Sequence, residues 1–202
     1  MAVVKRVGGV LVALVVACAA CGGAPKITYD YTKEPDPRRL EYVIGIDDRL
    51  SIRVWKNSDL SADVVVRPDG VVTMPLIGDL QAAGLTPSEL RDAVKRQLLN
   101  FIRDDSAVVT IAVTGINSYS FTVGGNVATP GVYSSTKYVT VLDAIQLAGG
   151  PNKFASPRRT TLFRQGKDGV LRSIPIDYEL VQAGKRPEMN LALMRGDRVF
   201  VP

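Results

Sequence analysis

Adjacent carboxylates are the side chains with which this sequence could do acid–base chemistry. They occur as two pairs, Asp47-Asp48 and Asp104-Asp105. A glycosidase needs two carboxyl groups that face each other across a sugar, whereas neighbouring residues in a turn point apart. The first pair is typical of an Asx turn before a strand, and the second is typical of a solvated loop. A structural role is therefore favoured, and a glycan hydrolase that uses Asp47 or Asp104 is the least favoured of three hypotheses.

Imidazole and thiol chemistry is excluded from most of the chain. The 202 residues contain no histidine, and the two cysteines, Cys18 and Cys21, lie near the N-terminus. Histidine-dependent triads, cysteine nucleophiles and His/Cys zinc sites are therefore excluded from the rest. Ser134-Ser135-Thr136-Lys137 has no neighbouring general base, and the Gly-Gly pairs at 124–125 and 149–150 lack the spacing of a phosphate-binding loop. We expect no catalysis, no cofactor and no metal.

The charge distribution gives no sign of a nucleic-acid partner. The formal net charge is +5, and it falls to +3 when Lys5 and Arg6 are excluded with a leader peptide. Arg38-Arg39 and Arg158-Arg159 are isolated pairs without interleaved aromatic residues. Nucleic-acid binding requires a basic patch or stripe, so we set this class of partner aside.

The N-terminus has the three-part layout of a bacterial secretory signal. Two basic residues precede an apolar run that ends at Ala17, and this run is shorter than the roughly 20 residues of a membrane-spanning helix. Val15-Val16-Ala17 before Cys18 resembles the lipobox of bacterial lipoproteins. The pattern predicts a signal peptide over residues 1–17 and acylation of Cys18, with Cys21 as the alternative. Acyl chains contribute about 0.8 kcal/mol per buried methylene, enough to hold a soluble domain at a membrane; a plain secretory leader is the other interpretation.

Residues 18–40 are predicted to be a tether. The segment from Gly22 to Leu40 is rich in proline, glycine and charged residues, a composition typical of linkers. We expect the folded part of the chain to begin near Glu41.

Three short apolar runs predict strands after the tether. Alternating residues over Leu50–Trp55 indicate a strand with one buried face and with Trp55 packed at its end. Val64–Val66 and Val71–Met74 flank Pro68-Asp69-Gly70, which is typical of a hairpin turn. Gly78-Asp79 is predicted to form a second turn.

A helix is predicted from Thr86. Glu89 follows three residues later, which is the spacing of a capping box, and apolar residues at three-four spacing predict an amphipathic helix that continues to Arg103. A strand of β-branched residues over Ala107–Val113 then closes a first α+β unit.

The remaining residues predict a second, different α+β unit. Alternation over Tyr119–Val127 indicates a strand. Thr140 and Asp143 predict a helix start, and Gly149-Gly150 predicts its end. Further strands are expected over Thr160–Arg164, Val170–Ile174 and Arg198–Val201.

Both units resemble modules of a known family. The first resembles the export domain of the polysaccharide export, Wza-like, family of outer-membrane lipoproteins. The second resembles the SLBB module, which is β-grasp-like. The motifs that carry the first resemblance are Tyr42–Trp55, Arg67–Gly78 and Ala83–Leu90; those that carry the second are Val123–Tyr133, Thr140–Gly150 and Arg195–Pro202. Ile46-Asp47 departs from the family pattern, which more usually has proline-glycine.

The resemblance implies an α+β protein with an export domain over 41–115 and one SLBB domain over 116–202. It implies a lipid-anchored subunit at the outer membrane that faces the periplasm, forms a homo-oligomeric ring and does no catalysis. The implied partners are a polysaccharide, an inner-membrane co-polymerase that is often a tyrosine autokinase, and a separate outer-membrane pore. The pore is expected to be separate because the sequence lacks the C-terminal transmembrane helix of the family's long members.

A monomeric glycan-binding lipoprotein is the second hypothesis. Tyr119, Tyr133 and Tyr138 are its candidate saccharide contacts, because tyrosine rings stack on sugar rings when they share one face. Strand alternation places at least some of these rings in the core instead.

Overall fold

The computed structural model describes residues 29–101, 108–166 and 168–202. The predicted signal peptide, both cysteines and the Asp104-Asp105 pair lie outside the described residues. The elements of the first module are β1 Arg49–Val54, β2 Ala62–Val65, β3 Val71–Met74, β4 Gly78–Gln81, α1 Pro87–Leu98 and β5 Val109–Gly115. Those of the second are β6 Ser120–Gly125, β7 Gly131–Ser134, α2 Val141–Leu147, β8 Thr160–Gln165, β9 Leu171–Ile176, α3 Tyr178–Gln182 and β10 Arg198–Val201. The predicted α+β class is confirmed.

The first module packs helix α1 against a three-stranded antiparallel sheet of order β2-β1-β5. The predicted capping box is confirmed: the Glu89 N–H donates to the Thr86 Oγ1 at 3.2 Å, and the Thr86 N–H donates to the Glu89 carboxylate at 2.8 Å. The helix buries Leu90, Val94 and Leu98, and each such side chain stabilises the fold by about 1.5–3 kcal/mol. It ends five residues before the predicted end at Arg103.

The predicted pairing of Val64–Val66 with Val71–Met74 is wrong. Strand β2 pairs with β1, and β3 pairs with β4 in a separate hairpin. The turn at Pro68-Asp69-Gly70 does form, since the Gly70 N–H donates to the Arg67 carbonyl at 2.8 Å. Beyond this turn the chain does not add to the β2-β1-β5 sheet. Strand β3 pairs instead with β4 across a turn at Leu76, where φ is +68°. Gly78-Asp79, predicted as a turn, begins strand β4.

Trp55 lies on the surface instead of packing at the end of its strand. Its side chain is 67% exposed. Strand β1 ends at Val54, and Lys56 then adopts a positive φ of +60°. Since Leu50, Ile52 and Val54 are the buried positions of the strand, the alternation places residue 55 on its exposed side.

The second module is a mixed five-stranded sheet of order β7-β6-β10-β8-β9. Strand β10 runs parallel to β6 and antiparallel to β8. Helix α2 starts at the predicted capping box of Thr140 and Asp143 and is followed by Gly149 at a φ of +79°. Residues of α2 and α3 share one buried core with the inward side chains of the sheet, among them Phe121 and Leu162.

The tether prediction is wrong for residues 29–40, which fold onto the second module as an N-terminal strap. Tyr31 is buried, and its hydroxyl donates to the Pro175 carbonyl at 2.5 Å. The charged residues that suggested a linker cap short 3₁₀ turns, because the Asp30 and Asp36 carboxylates accept hydrogen bonds from backbone N–H groups two residues later. The composition of a linker therefore conceals a folded segment.

Candidate functional site

A buried carboxylate joins the two modules. Asp48, in the loop before β1, is fully buried. Its Oδ1 accepts the N–H groups of Asn117 and Ser118 at 2.9 Å each, from the segment that leads into the second module. Its Oδ2 accepts the Tyr42 hydroxyl at 2.5 Å and the Gly45 N–H at 2.7 Å. Hydrogen bonds to a charged acceptor are roughly twice as strong as neutral ones, so this cluster holds the modules firmly.

Each module contains a loop of the same kind, which ends in a buried aspartate. Asp48 follows Asp47, whose φ is +72°, and Asp197 follows Gly196, whose φ is +82°. Each buried aspartate accepts the N–H of the residue three positions earlier, Gly45 at 2.7 Å in one loop and Met194 at 2.8 Å in the other. Asp47 occupies a left-handed position that favours glycine, and aspartate is among the few other residues that tolerate it.

Hydrogen bonding decides the ionisation of this cluster. Burial by itself would raise the pKa of Asp48, but the hydrogen bonds from Tyr42 and from the N–H groups of Ser118, Gly45 and Asn117 outweigh burial and lower that pKa. Burial, together with the bond to Asp48, raises the pKa of the Tyr42 hydroxyl. Asp48 is therefore an anion that stabilises the junction, and it has no proton to give as a general acid.

The second buried carboxylate, Asp197, fixes the N-terminal strap. Its Oδ2 accepts the Arg164 Nη2 at 2.7 Å, and the Arg164 Nη1 also donates to Glu34 of the strap at 3.0 Å. All three side chains are at most 5% exposed. The Tyr29 hydroxyl donates to the same glutamate, and burial, followed by this bond, raises the pKa of Tyr29 to about 12.

A cleft of about 440 Å³ lies where the two modules and the strap meet. This volume is within the range of small-molecule sites, which commonly form between domains. The cleft is lined by the strap and first-module residues Pro37, Leu40, Glu41, Tyr42, Val43 and Thr86, and by the second-module residues Ser118, Tyr119, Tyr138, Met194 and Arg195. Apolar side chains, tyrosine rings and a few polar groups therefore converge on one space.

The structure brings two of the three predicted tyrosines to this cleft. Tyr138 is half-buried and packs edge-on against Tyr119, with ring centroids 5.2 Å apart. Tyr119 is only 3% exposed, and its hydroxyl donates to the Leu193 carbonyl at 3.0 Å. Tyr133 lies elsewhere and stacks on Phe121, with ring centroids 6.0 Å apart. Of the three rings, Tyr138 alone is positioned to meet a ligand in the cleft.

Arg195 is the cation of the cleft. Its Nη1 lies 3.4 Å from the Ser118 Oγ. Within the described ranges, no carboxylate lies within 4.0 Å of the Arg195 guanidinium, the distance limit for an ion pair. Gly45 makes room for it, because a Cβ on Gly45 would come within 1.9 Å of the Arg195 Nη1 and 2.3 Å of the Ser118 Oγ. The glycine of one module thus positions the arginine of the other.

Sequence reasoning missed Asp48, Arg195 and Glu34. The sequence pattern predicts only an Asx turn at Asp48 and a tether at Glu34, and it gives Arg195 only as the first residue of a motif. Nothing near Asp48 in sequence signals its donors from Asn117 and Ser118, which lie about 70 positions later. The one available signal was the loop that ends in an aspartate before an apolar strand, which occurs once in each module.

Among the described residues, no group of three or more histidine, cysteine, aspartate or glutamate side chains is placed to hold a metal ion. Asp48 already accepts five hydrogen bonds. Across residues 29–101, 108–166 and 168–202, no helix has both the length and the apolar character to cross a membrane.

Two family models match the chain, one on each module. Residues 36–114 match the polysaccharide biosynthesis/export protein family, and residues 120–175 match the SLBB domain. These are families of export and binding proteins, not of enzymes, in agreement with the expectation of a non-catalytic protein.

Similar proteins carry names of the same kind. The chain is 36% identical over 126 residues to the exopolysaccharide production protein ExoF of Rhizobium meliloti, covering 56% of this chain and 29% of that protein. It is 31% identical over 185 residues to the EPS I polysaccharide export outer membrane protein EpsA of Ralstonia nicotianae, covering 79% and 47%. It is 26% identical over 194 residues to the capsule polysaccharide export outer membrane protein CtrA of Neisseria meningitidis, covering 86% and 47%. The chain spans less than half the length of each relative. The chain therefore carries a polysaccharide biosynthesis/export module followed by an SLBB module.

Proposed function

We propose that this protein is a lipid-anchored, periplasm-facing subunit of a complex that exports a capsular or exopolysaccharide. Copies of the chain form a ring that guides the glycan from an inner-membrane co-polymerase, such as a tyrosine autokinase, to a separate outer-membrane pore. The anchor is an acylated Cys18, with Cys21 as the alternative, at the outer membrane.

The observation that carries this proposal is the rigid junction of the two matched modules. The Asp48 carboxylate accepts hydrogen bonds from the segment that leads into the SLBB module, so the modules keep one relative orientation. A ring subunit needs such rigidity, because head-to-tail interfaces close only when each copy imposes the same rotation. The names of EpsA and CtrA, both polysaccharide export outer membrane proteins, support the assignment to export and to that membrane.

Gene deletion and complementation test the export role. We expect deletion to abolish secreted polymer while the cells still synthesise it, and expression of the wild-type chain to restore secretion. Normal secretion after deletion, with no second copy of the family in the genome, would refute the proposal.

The mass of the detergent-extracted protein tests the ring. We expect a discrete oligomer by native mass spectrometry, alone or after addition of the co-polymerase. A strict monomer under both conditions would favour the second candidate, a monomeric glycan-binding lipoprotein. The specific observation behind that candidate is the cleft between the modules, which suits a small ligand without any partner copy.

A further inference from the structure

We propose that the cleft between the modules binds a carboxylate-bearing sugar residue of the exported polymer, with Arg195 pairing with the sugar carboxylate and Tyr138 contacting the ring. This inference rests on the proposed function for the identity of the polymer. It adds a binding site and a charge preference that the family assignment does not supply.

Arg195 is the group that selects charge. The guanidinium lies at the cleft with a 3.4 Å contact to the Ser118 Oγ and, in the described part of the chain, no carboxylate within 4.0 Å. Two carboxylates at the cleft are already engaged. Asp48, bonded to the lining residues Tyr42 and Ser118, accepts the hydrogen bonds of the junction, and Glu41, which lines the cleft, accepts the Ser88 N–H at 3.0 Å at the start of α1. A planar guanidinium with unused donors matches the two oxygens of a carboxylate.

Tyr138 supplies the surface for the sugar ring. Tyr119 holds the Tyr138 ring by an edge-on contact with an interplanar angle of 81°. Within the described residues the Tyr138 hydroxyl makes no hydrogen bond, whereas the hydroxyls of Tyr42, Tyr119 and Tyr133 all do. An aromatic body with an available polar tip suits a sugar, which presents C–H groups on its faces and hydroxyls at its edge.

The apolar rim makes a free inorganic anion a poor match. Leu40 is 59% exposed and Val43 is 42% exposed at the cleft. Small-molecule sites combine such apolar walls with a small number of placed polar groups. An acidic sugar satisfies both features, because its ring covers apolar surface while its carboxylate meets Arg195.

Binding of a matched pair of oligosaccharides tests the site. The acidic probe is a tetrasaccharide of alternating glucuronate and N-acetylglucosamine, and the neutral probe is the same tetrasaccharide after reduction of its carboxyl groups. With the full chain in detergent, we expect calorimetry to show that the acidic probe binds at least tenfold more tightly. We expect Arg195→Gln to remove that difference, a loss of about 10- to 100-fold for the acidic probe. Tyr138→Phe should weaken both probes by about threefold to tenfold.

Arg198→Gln is the matched control. Arg198 is an exposed arginine three residues away, on strand β10 and outside the cleft, so this variant should bind both probes like the wild type. Equal binding of the acidic and neutral probes, absence of binding to either, or unchanged binding by Arg195→Gln would each overturn the proposal. Full competition by inorganic phosphate at the concentration of the sugar would also overturn it, because the site would then be a general anion site.

Secretion separates failure of this inference from failure of the proposed function. We expect Arg195→Gln to complement the deletion strain poorly and Arg198→Gln to complement it fully. If both variants restore full secretion, the export role stands and the acidic-sugar site does not. If even the wild-type chain has no effect on secretion, the proposed function itself fails.

Discussion

Asp48 shows how one side chain can fix the arrangement of two modules. The residue lies 69 positions before Asn117 and 70 before Ser118, and it accepts N–H groups from both. Its full burial removes competition from water. A buried acceptor with so many donors is costly to alter, because a buried donor that loses its partner in the protein cannot bond to water instead.

Asp48→Asn is expected to lower the free energy of unfolding by about 3 kcal/mol. The amide group removes the charge and turns an N–H₂ group towards donors. Urea denaturation measures the change. Asp47→Asn is the control, because residue 47 is exposed and asparagine tolerates its positive φ of +72°. If the two variants have the same stability, Asp48 does not carry the junction.

The lowered pKa of Asp48 also predicts acid sensitivity. A carboxyl group whose pKa is lower in the folded than in the unfolded state, where it is about 3.9, stabilises the fold above that value. This contribution is lost as the pH falls through the folded-state pKa. We expect the stability difference between wild type and Asp48→Asn to shrink steadily below about pH 4. A difference that stays constant from pH 7 to pH 2 would contradict the assignment of a charged Asp48.

At the scale of elements, local signals predicted helices better than strand partners. The capping boxes at Thr86 and Thr140 each lie within four residues, so the sequence alone locates both helix starts. Strand β3 can pair across either of two turns, Pro68-Asp69-Gly70 or the turn at Leu76. The sequence pattern favours the first, but β3 pairs across the second. The strap was missed for the same reason: Glu34 is stabilised by Arg164, 130 positions later, and no local pattern encodes that pair.

Glu34→Gln tests whether the strap is part of the fold. The change leaves Arg164 with one buried carboxylate instead of two, and we expect a loss of about 3 kcal/mol, the lower end of the range for breaking a buried ion pair, because Asp197 remains. Glu188→Gln is the control: its ion pair with Arg186 is more than 40% exposed on both sides, and such pairs contribute about 0–1 kcal/mol. Equal melting temperatures for the two variants would show that the strap is only loosely attached.

At the scale of the whole molecule, the strap together with the proposed lipid anchor would set which module lies near the membrane. It folds onto the SLBB module, through Tyr31 against Pro175 and Glu34 against Arg164. If Cys18 is acylated, the 11 residues from Cys18 to Tyr29 span at most about 40 Å when fully extended. The SLBB module is therefore held close to the lipid surface, whereas a free tether over 18–40 would have allowed either module to approach it.

Replacement of the cysteines tests this arrangement. We expect Cys18→Ser to move the protein from the membrane fraction to the soluble periplasmic fraction. The substitution removes the residue that would carry the acyl chains, and stable anchoring needs two or more of them. Cys21→Ser should leave it in the membrane fraction and is the matched control. The opposite result would assign the lipid to Cys21 and shorten the maximum reach to eight residues, or about 29 Å. Retention of both variants in the membrane fraction would exclude a single acylated cysteine as the anchor, and the strap would then lose its role in positioning the SLBB module.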